Sequence, residues 1–366
     1  MEPINLMEYE TLARERIAPD AWDYYSGGAE DEVTLRENRA AYERIKLRPR
    51  MLRGVGTVDT SVTLFGATLP APILVAPVAY QKLAHSEGEA AMARGAGAAG
   101  AIMSVSTLAN ASLEEVAAAA SGPLWFQLYV YKDRALTEWL VRRAEAAGYR
   151  ALVLTVDMPR LGRRERDIRN GFGLPPGFIV ANFAGQDKEN QPALPPGESG
   201  LAAYASKQLD PGLTWEAVDW LRSITPLPVL VKGILTAEDA QEAVSHGAAG
   251  VIVSNHGGRQ LDGALAAVEA LPEIAATVAG RVPVLVDGGI RRGTDVLKAL
   301  ALGAMAVQIG RPALWALTVD GAAGVERALR LLGEELRLAM ALSGCRSLTE
   351  INYKLVKVPS SLEEEF

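Results

Sequence analysis

The stretch VLVKGILTAEDAQEAVSHGAAGVIVSNH, residues 229–256, contains two apolar runs, which begin at Val229 and Val251. The segment between them, 237–246, is rich in Ala, has the pattern of an amphipathic helix and ends at a glycine, as many helices do. Short apolar runs without polar alternation are typical of strands that are buried on both faces. A buried strand, a helix and a second buried strand predict one βαβ unit of a parallel sheet.

The same alternation of apolar runs and Ala-rich segments extends over residues 66–345. The runs, which we predict to be strands, begin near Pro72, Ala101, Leu124, Ala151, Val229, Val251, Val284 and Ala306. The clearest helical segments between them are 87–99, 134–147, 237–246 and 294–302. Eight such units predict an α/β fold, a closed (β/α)8 TIM barrel, with an open doubly wound sheet as the alternative. Because such a barrel can reach about 250 residues or more as one domain, we treat all 366 residues as a single domain.

Three segments depart from this alternation. Residues 1–65 have helical patterning with short polar breaks, and residues 346–366 form a C-terminal tail. Residues 170–212 separate the fourth predicted strand from the fifth, and much of this insertion is polar. Compact domains rarely contain loops longer than about 15 residues unless these are lids or disordered segments. We therefore predict a mobile lid beside the active site, with a passive surface insertion as the alternative.

Polar or conformationally unusual residues follow every predicted strand. In chain order the strand ends contain Pro77-Val78-Ala79-Tyr80, Ser104 and Ser106, Gln127 and Tyr129, Thr155 and Asp157, Lys232, Ser254-Asn255-His256, Asp287-Gly288-Gly289, and Gly310-Arg311. The carboxyl ends of the strands of such a barrel form one rim, and active sites lie at that rim. Stability alone does not require polar residues at all of these ends, so we predict an active site there.

Two glycine-containing loops follow the last two predicted strands. Asp287-Gly288-Gly289-Ile290-Arg291 follows the seventh strand and Ile309-Gly310-Arg311 follows the eighth, where these barrels often bind phosphate. Glycine lets backbone N–H groups approach an anion closely, and Arg adds a bidentate contact. A tight turn explains either motif alone, but the two together favour phosphate binding. A nucleoside polyphosphate is disfavoured because the chain has no GxxxxGK[ST] motif.

The densest group of candidate catalytic residues is 254–262, which contains His256 and Arg259 with two glycines between them. A His side chain can transfer protons near neutral pH, and the glycines permit an unusual backbone path. We therefore interpret His256 as a catalytic base. His85 and His246 lie at predicted helix ends without catalytic neighbours in the sequence, so we assign them structural roles.

Composition disfavours several other classes of function. A net charge of −7 and a pI near 5.3 argue against nucleic acid or an anionic membrane as a partner. Cys345 is the only cysteine, so no internal disulfide can form, and we predict a buried thiol rather than a nucleophile. We predict no metal site. The chain contains neither an apolar signal region near Met1 nor a stretch of about 20 apolar residues, so we expect a cytoplasmic protein.

Several of these segments together resemble one family. Over residues 9–351 the chain is similar to the flavin mononucleotide (FMN)-dependent L-2-hydroxy acid oxidases and dehydrogenases, which include glycolate oxidase, L-lactate oxidase, mandelate dehydrogenase and the flavin domain of flavocytochrome b2. The resemblance is carried by Asp23-Tyr24-Tyr25, Phe126-Gln127-Leu128-Tyr129, Leu154-Thr155-Val156-Asp157, Leu161-Gly162-Arg163-Arg164, Val231-Lys232-Gly233 and 254–262. It implies FMN as the cofactor, a 2-hydroxy acid and O2 as the small-molecule partners, and a homotetramer.

The resemblance also implies roles for particular residues. FMN-binding positions of the family are matched by Pro77, Val78, Ala79, Ser106, Gln127, Thr155, Lys232, Ser254, Asp287, Gly288, Gly289, Ile290, Arg291, Gly310 and Arg311. Substrate-binding positions are matched by Tyr24, Tyr129, Arg164 and Arg259. The catalytic positions are matched by His256 as the base, Asp157 as its acidic partner, and Tyr129. These roles are chemically reasonable, because a carboxylate stabilises a protonated imidazole and Arg offers a planar fork to a substrate carboxylate.

Two further substrate-site positions distinguish members of the family. Position 108 is Leu, where plant-type glycolate oxidases have Trp, and position 80 is Tyr, as in members similar to hydroxymandelate oxidase. Leu108 leaves room for a methyl group, and Tyr80 can stack on an aromatic ring. We therefore predict L-lactate as the substrate, with glycolate as the next candidate and mandelate-like or longer L-2-hydroxy acids as the alternative.

The predicted reaction is oxidation of the hydroxy acid to a 2-oxo acid, with O2 reduced to H2O2. A dehydrogenase that passes electrons to another acceptor is the nearest alternative. An FMN barrel that isomerises or reduces a phosphorylated substrate, and a non-catalytic phosphate-binding barrel, are more distant alternatives. The first of these two would not need a pair of arginines beside the base, which the sequence supplies as Arg164 and Arg259, and a purified protein that is colourless and takes up no FMN would favour the second.

Overall fold

A closed barrel of parallel strands forms the centre of the computed structural model, which describes residues 2–184 and 200–358. In chain order the strands are β1 (Lys46–Leu47), β2 (Val62–Leu64), β3 (Ala67–Leu69), β4 (Ile73–Val75), β5 (Met103–Val105), β6 (Leu124–Leu128), β7 (Leu152–Thr155), β8 (Val229–Ile234), β9 (Gly250–Val253), β10 (Val284–Asp287), β11 (Ala306–Ile309) and β12 (Val356–Lys357). The barrel closes in the order β10-β11-β4-β5-β6-β7-β8-β9. Each predicted strand coincides with one barrel strand, so the (β/α)8 prediction is confirmed and the open sheet is excluded.

Helices alternate with the barrel strands and also precede them. In chain order they are α1 (Leu6–Arg14), α2 (Pro19–Ser26), α3 (Val33–Arg44), α4 (Gly88–Ala98), α5 (Leu113–Ala119), α6 (Arg134–Ala146), α7 (Glu165–Asn170), α8 (Gly200–Gln208), α9 (Glu216–Ile224), α10 (Ala237–Ser245), α11 (Ala267–Val278), α12 (Gly293–Ala301) and α13 (Arg311–Ser343). Short 3-10 helices span Gln81–Leu83, Ala181–Phe183, Leu348–Glu350 and Tyr353–Leu355. The four helical segments named from the sequence correspond to α4, α6, α10 and α12.

Local side-chain contacts explain where several helices begin. The hydroxyl of Thr236 caps α10 by accepting the backbone N–H of Asp239 at 3.2 Å. Ser112 and Glu115 form a capping box at the start of α5. These caps satisfy N–H groups that the first helical turn cannot pair, so each helix starts at a defined residue after its strand.

The interior of the barrel changes from apolar to polar along the strands. Its apolar part is formed by Leu74, Ile102, Trp125, Ala151, Val153, Leu230, Ile252, Leu285 and Ala306. Alternate residues of a strand lie on the same face, so the residue two positions after each of these apolar residues also faces the interior. These positions include the buried polar residues Ser104, Gln127, Thr155, Lys232, Ser254, Asp287 and Gln308. Buried polar groups are costly unless they are paired, so this end of the barrel is either internally bonded or built to hold a ligand.

The segment before the barrel packs against the same polar end. The backbone N–H of Ala29 donates to the carbonyl of Gly258 at 2.9 Å. The side-chain amides of Asn38 on α3 and Asn255 after β9 donate to each other at 2.8 and 2.9 Å. These contacts fix α2 over the rim and bring Tyr24 to the mouth of the barrel.

The predicted lid, 170–212, is described in part, because residues 185–199 lie outside the described residues. Before them, Phe172 is buried, and the amide of Asn182 donates to the carbonyl of Thr107 at 2.9 Å. After them, the hydroxyl of Tyr204 on α8 donates to that of Tyr131 at 2.9 Å. Both described flanks of the insertion therefore pack against the barrel, and the mobility of its centre stays a prediction.

Two other kinds of feature are absent from the described ranges. No helix there is both long and apolar enough to cross a membrane. The same residues contain no group of three or more His, Cys, Asp or Glu side chains that could hold a metal ion. Cys345 is buried and free, as predicted, and burial raises the pKa of its thiol.

Candidate active site

A cavity lies at the carboxyl ends of the barrel strands and is lined by residues that follow each of the eight strands. All of the residues assigned to the site from the sequence line this cavity, except Asp157, Ser254 and Tyr80. Asp157 and Ser254 contact side chains that do line it. The structure therefore brings together residues that are distant in the chain, from Tyr24 to Arg311.

The candidate base, His256, is paired with Asp157. Nδ1 of His256 lies 2.9 Å from Oδ1 of Asp157. Burial acts to raise the pKa of Asp157, but His256 and Lys232 outweigh burial and hold this pKa below its usual value. Asp157 is therefore ionised and accepts a hydrogen bond from the Nδ1–H group, which leaves Nε2 of His256 as the nitrogen that can accept a proton.

Burial lowers the pKa of His256 below its usual 6.5, although Asp157 opposes this shift. The imidazole is consequently neutral near pH 7, which is the form that a base requires. Its backbone is left-handed, with φ of 57°, and is followed by two glycines of positive φ. The backbone N–H of His256 donates to the hydroxyl of Ser254 at 3.1 Å. Ser254 therefore helps to position His256, although it does not line the cavity itself.

A glycine on β8 makes room for the carboxylate of this pair. A Cβ atom at Gly233 would lie 2.6 Å from Cβ of Asp157 and 2.8 Å from its Cγ. The φ of Gly233 is also positive, at 109°, a conformation that other residues rarely adopt. Gly233 belongs to the family segment Val231-Lys232-Gly233, but its sequence context alone predicts no role for it.

Arg164 and Arg259 supply positive charge beside the base. Arg164 is only 5% exposed, and its hydrogen bonds to the carbonyl of Arg259 and to the side chain of Gln260 are long, at 3.4 Å each. Burial and the neighbouring Arg259 lower the pKa of Arg164 to about 10, so it remains a cation at neutral pH. The guanidinium of Arg259 lies 4.9 Å from the centre of the Tyr24 ring. A substrate carboxylate bound between Arg164 and Arg259 would relieve the repulsion between the two guanidinium groups.

The tyrosines near the base differ in their access to the cavity. Tyr24 and Tyr129 line it, and burial raises the pKa of both hydroxyls, so they remain hydrogen-bond donors. Tyr80 does not line the cavity, because its ring lies behind Tyr24, with 5.7 Å between the ring centres, and is fully buried. The structure thus places Leu108 at the cavity but keeps Tyr80 from the direct ring contact expected from the sequence.

A buried cation and one side-chain amide lie at the end of the cavity formed by β6 and β8. Nζ of Lys232 lies 3.2 Å from Oδ2 of Asp287 and donates to the hydroxyl of Ser254 at 2.8 Å. Burial acts to lower the pKa of Lys232, but Asp287 and Asp157 outweigh it and raise this pKa, so the ammonium is retained. The side-chain amide of Gln127 donates to Thr155 at 3.1 Å, which fixes its orientation.

The two glycine-containing loops bring positive charge to the part of the cavity that follows β10 and β11. Gly288 and Gly289 have positive φ values of 94° and 77°. The guanidinium of Arg311 donates to the carbonyls of Tyr25, Gly27 and Gly257, at 2.8 to 3.0 Å. Burial and the nearby Arg259 and Arg291 lower the pKa of Arg311 to about 9. An anion bound here would stabilise this concentration of positive charge.

The residues present fit FMN. The cations and glycine loops suit its phosphate, and Lys232 and Gln127 suit the polar edge of its ring. Among the described residues, Oδ1 of Asp287 and both amide atoms of Gln308 are buried without a hydrogen-bond partner. Such unpaired atoms indicate that part of the cavity is completed by a polar ligand.

Sequence reasoning missed several residues that line the cavity. These are Tyr25, Ala76, Met158, Gly257, Gln308, Ile309, Pro312 and Leu314. Most of them adjoin residues that were identified, so an extended reading of each strand end would have found them. Gln308 is different, because it precedes the glycine loop and gave no signal apart from being polar within an apolar run.

A (β/α)8 barrel with a cationic loop pair after its last two strands and a His–Asp pair beside buried arginines defines an enzyme that binds a phosphorylated cofactor. Comparison with known proteins identifies the family. Residues 13–358 match the FMN-dependent dehydrogenase family, and the chain belongs to that family. The predicted family and the cofactor FMN are therefore confirmed.

Relatives cover nearly the whole chain. L-lactate oxidase of Nostoc sp. strain PCC 7120 is 56% identical over 354 residues, which are 96% of this chain and 97% of the relative. Glycolate oxidase 3 of Arabidopsis thaliana is 54% identical and covers 98% of this chain and 96% of the relative. A crystal structure of mandelate oxidase with (S)-4-hydroxymandelic acid superimposes with a TM-score of 0.90 at 47% identity, covering 97% of this chain and 98% of that one.

Proposed function

We propose that this enzyme oxidises a small L-2-hydroxy acid, L-lactate in the first place, to the 2-oxo acid and reduces O2 to H2O2. The observation that carries the proposal is the position of His256, whose Nδ1 lies 2.9 Å from Asp157 in a cavity that Arg164 and Arg259 also line. A base beside two cations suits a substrate that has both a carboxylate and an acidic hydroxyl group.

The arginines and tyrosines would bind and orient the substrate. Arg164 has no short hydrogen bond to an anion among the described residues, so it is available to a carboxylate. The protonated hydroxyls of Tyr24 and Tyr129 can donate to the carboxylate or to the substrate hydroxyl. Fixing these groups places the 2-hydroxyl and the α-hydrogen at a defined position relative to His256.

His256 would accept one proton during the oxidation. Conversion of a 2-hydroxy acid to a 2-oxo acid removes two electrons and two protons, and reduction of O2 to H2O2 consumes the same number of each. The imidazolium that forms at His256 is stabilised by the ionised Asp157, as in other His–carboxylate pairs. When bound, FMN supplies the chemistry that takes the electron pair from the substrate and delivers it to O2.

We assign the FMN site to the residues identified from the sequence. Arg291, Arg311 and the adjacent glycines would hold the phosphate. The positive charge of Lys232 would balance the negative charge that the ring gains on reduction, because an uncompensated charge is costly in a buried site. Ser106, Gln127 and Thr155 are joined by hydrogen bonds of 3.1 to 3.3 Å, which makes them a rigid polar surface for the ring.

L-lactate is the preferred substrate because of Leu108. This side chain is 4% exposed and lines the cavity, and Leu is smaller than Trp, so a methyl group can be accommodated. Burying one methyl group is worth about 1 kcal/mol, which corresponds to roughly fivefold to tenfold preference over glycolate. Mandelate-like acids stay as the alternative, since the related lactate, glycolate and mandelate oxidases match this chain at similar identity.

A substrate panel tests the proposal. The purified FMN-loaded enzyme is mixed without oxygen with glycolate, L-lactate, D-lactate or (S)-mandelate, and bleaching of the flavin absorbance is followed. We expect the fastest bleaching with L-lactate and almost none with D-lactate. Admission of O2 should then restore the colour and yield one H2O2 per 2-oxo acid. Turnover with dyes but not with O2 would make the enzyme a dehydrogenase, and no bleaching by any of the acids would refute the proposal.

We also propose that the enzyme is a cytoplasmic homotetramer. The support for an oligomer is the exposure of two leucines one turn apart on α13, Leu338 at 60% and Leu342 at 65%. Exposed apolar side chains at this spacing form a stripe that a second subunit can cover. Light scattering of the purified protein tests the oligomeric state, and fractionation of the source cells tests the location.

A further inference from the structure

Gln308 is a buried polar residue of the cavity whose side chain has no hydrogen-bond partner among the described residues. It lies on β11, is 1% exposed and lines the cavity together with Lys232 and Asp287. Within the described ranges, neither its Nε2 nor its Oε1 forms a hydrogen bond. An unpaired buried amide destabilises a protein, so its presence in a cavity wall indicates a partner that binds there.

The sheet register places Gln308 beside a second unpaired group. Asp287 and Gln308 are paired in register across β10 and β11, and residues paired in this way point to the same side of the sheet. Oδ2 of Asp287 contacts Lys232, whereas its Oδ1 has no partner in the part of the chain that the structure describes. Neighbouring strands therefore present one free acceptor from Asp287 and one free donor and acceptor from Gln308.

The position of this pair in the cavity indicates which part of the ligand it meets. Asp287 directly precedes Gly288, and Gln308 lies two residues before Gly310, so both lie just inside the loops that we assign to the phosphate. The ring is assigned to the region of Lys232 and Gln127. A ligand that joins a phosphate at the loops to a ring at the lysine must pass Asp287 and Gln308. In FMN this linking part is the ribityl chain, whose hydroxyl groups both donate and accept hydrogen bonds.

We propose that Gln308 binds the ribityl hydroxyl groups of FMN through its side-chain amide, next to Asp287. The inference rests on the proposed FMN site and adds to it a cofactor-binding residue. Bound FMN then satisfies the amide and the second carboxylate oxygen together. This contact explains why a polar side chain interrupts the apolar run of β11. Without the ligand, the two amide atoms of Gln308 would be buried without partners.

Replacement of Gln308 by Leu tests the inference, because Leu has a similar volume and no hydrogen-bonding group. FMN is removed from the purified protein, and its dissociation constant is measured by the quenching of flavin fluorescence on rebinding. We expect Gln308→Leu to raise the dissociation constant about tenfold, the effect of one or two lost hydrogen bonds. The melting temperature of the FMN-free protein should be no lower than that of the wild type, since an unpaired polar group is removed.

Ser104→Ala is the matched control. Ser104 is fully buried on β5 and its hydroxyl has no partner among the described residues, but it does not line the cavity. We expect its FMN affinity to equal that of the wild type. Equal weakening in Ser104→Ala and Gln308→Leu, or a lower melting temperature of FMN-free Gln308→Leu, would make Gln308 a structural residue and overturn the inference.

An FMN analogue that retains the ring and phosphate but lacks the ribityl hydroxyl groups locates the contact. Gln308→Leu should weaken binding of FMN but leave binding of the analogue unchanged. Equal weakening of both ligands, or of neither, would overturn the assignment to the ribityl chain. These outcomes are separate from failure of the proposed function, in which the wild-type protein itself would not bind FMN.

Discussion

Substitution of Gly233 by Ala should slow flavin reduction without removing the flavin. The new Cβ would lie 2.6 Å from Cβ of Asp157, whereas ordinary contacts begin at 3.4 Å, so the aspartate must move by about 0.8 Å. The hydrogen bond between Asp157 and His256 is 2.9 Å long. A movement of Asp157 by about 0.8 Å would stretch this bond well beyond the usual limit of about 3.2 Å. Misplacement of a catalytic group by about 1 Å can cost roughly a hundredfold in rate, and we expect a loss of that order.

The assay is anaerobic stopped-flow reduction of the FMN-loaded variant by L-lactate. Gly148→Ala is the matched control, because Gly148 also has a positive φ, 83°, but a Cβ there would meet no atom within 4 Å. Both variants should lose about 1–3 kcal/mol of stability from backbone strain, and only Gly233→Ala should lose rate. Reduction of Gly233→Ala at the wild-type rate, or equal slowing of both variants, would refute this account of the His–Asp pair.

The remaining predictions concern the base, the charge at the flavin, the substrate pocket and pH. His256→Gln should retain FMN and slow its reduction at least about a hundredfold, and near-normal reduction would refute its role. Lys232→Met should weaken FMN binding and lower the flavin midpoint potential, and an unchanged potential would count against it. Leu108→Trp should reduce the ratio of kcat/KM for L-lactate over glycolate, and an unchanged ratio would show that Leu108 does not set the pocket. The pH profile of kcat/KM for L-lactate should fall on the acid side with a midpoint below 6.5, since burial lowers the pKa of His256, and a midpoint above 7 would contradict this.

The lowered pKa of His256 makes the folded protein less stable at acid pH. Because its pKa is lower in the folded protein than the usual 6.5, the unfolded chain binds more protons at acid pH. The contribution of this residue to the free energy of unfolding is therefore present above pH 6.5 and decreases as the pH falls below that value. His256→Gln should show a weaker loss of melting temperature between pH 7 and pH 5 than the wild type, which differential scanning fluorimetry can measure.

The barrel and the ring of site residues could be predicted because both depend on local sequence patterns. Buried strands of a parallel sheet are short apolar runs, so β8 and β9 are visible in the sequence without a structure. The residue after each run must lie at the carboxyl rim, which places His256 and Asp287 at one end although they are distant in the chain. Closure of the barrel follows from the number of units rather than from any one of them.

Other features depend on contacts between residues that are distant in the chain. Local sequence patterns do not reveal these contacts. Tyr80 follows β4 as Ala79 does, yet its ring packs against Tyr24, with 5.7 Å between the ring centres, and does not line the cavity. Gly233 lies near the end of β8, and its role depends on the neighbouring Asp157, whose Cβ would lie 2.6 Å from a Cβ atom at position 233. Side-chain direction at a strand end depends on the backbone φ and ψ angles and on the side-chain torsions, which residue type alone does not determine.

The acidic composition of the chain and the cationic character of its cavity are compatible because charge acts locally in a buried site. Arg164, Arg259, Arg291 and Arg311 all line one cavity in a chain of net charge −7. Burial lowers the pKa of Arg164 to about 10 and that of Arg311 to about 9, which shows that these cations are held at a cost to stability. A phosphate at one end and a carboxylate at the other compensate this cost only when both are bound. Solvent and salt screen the acidic residues on the outer surface, so these residues have little effect on the positive potential inside the cavity. Net charge therefore describes the outer surface of the protein, while the two anions that it handles are selected by the cavity.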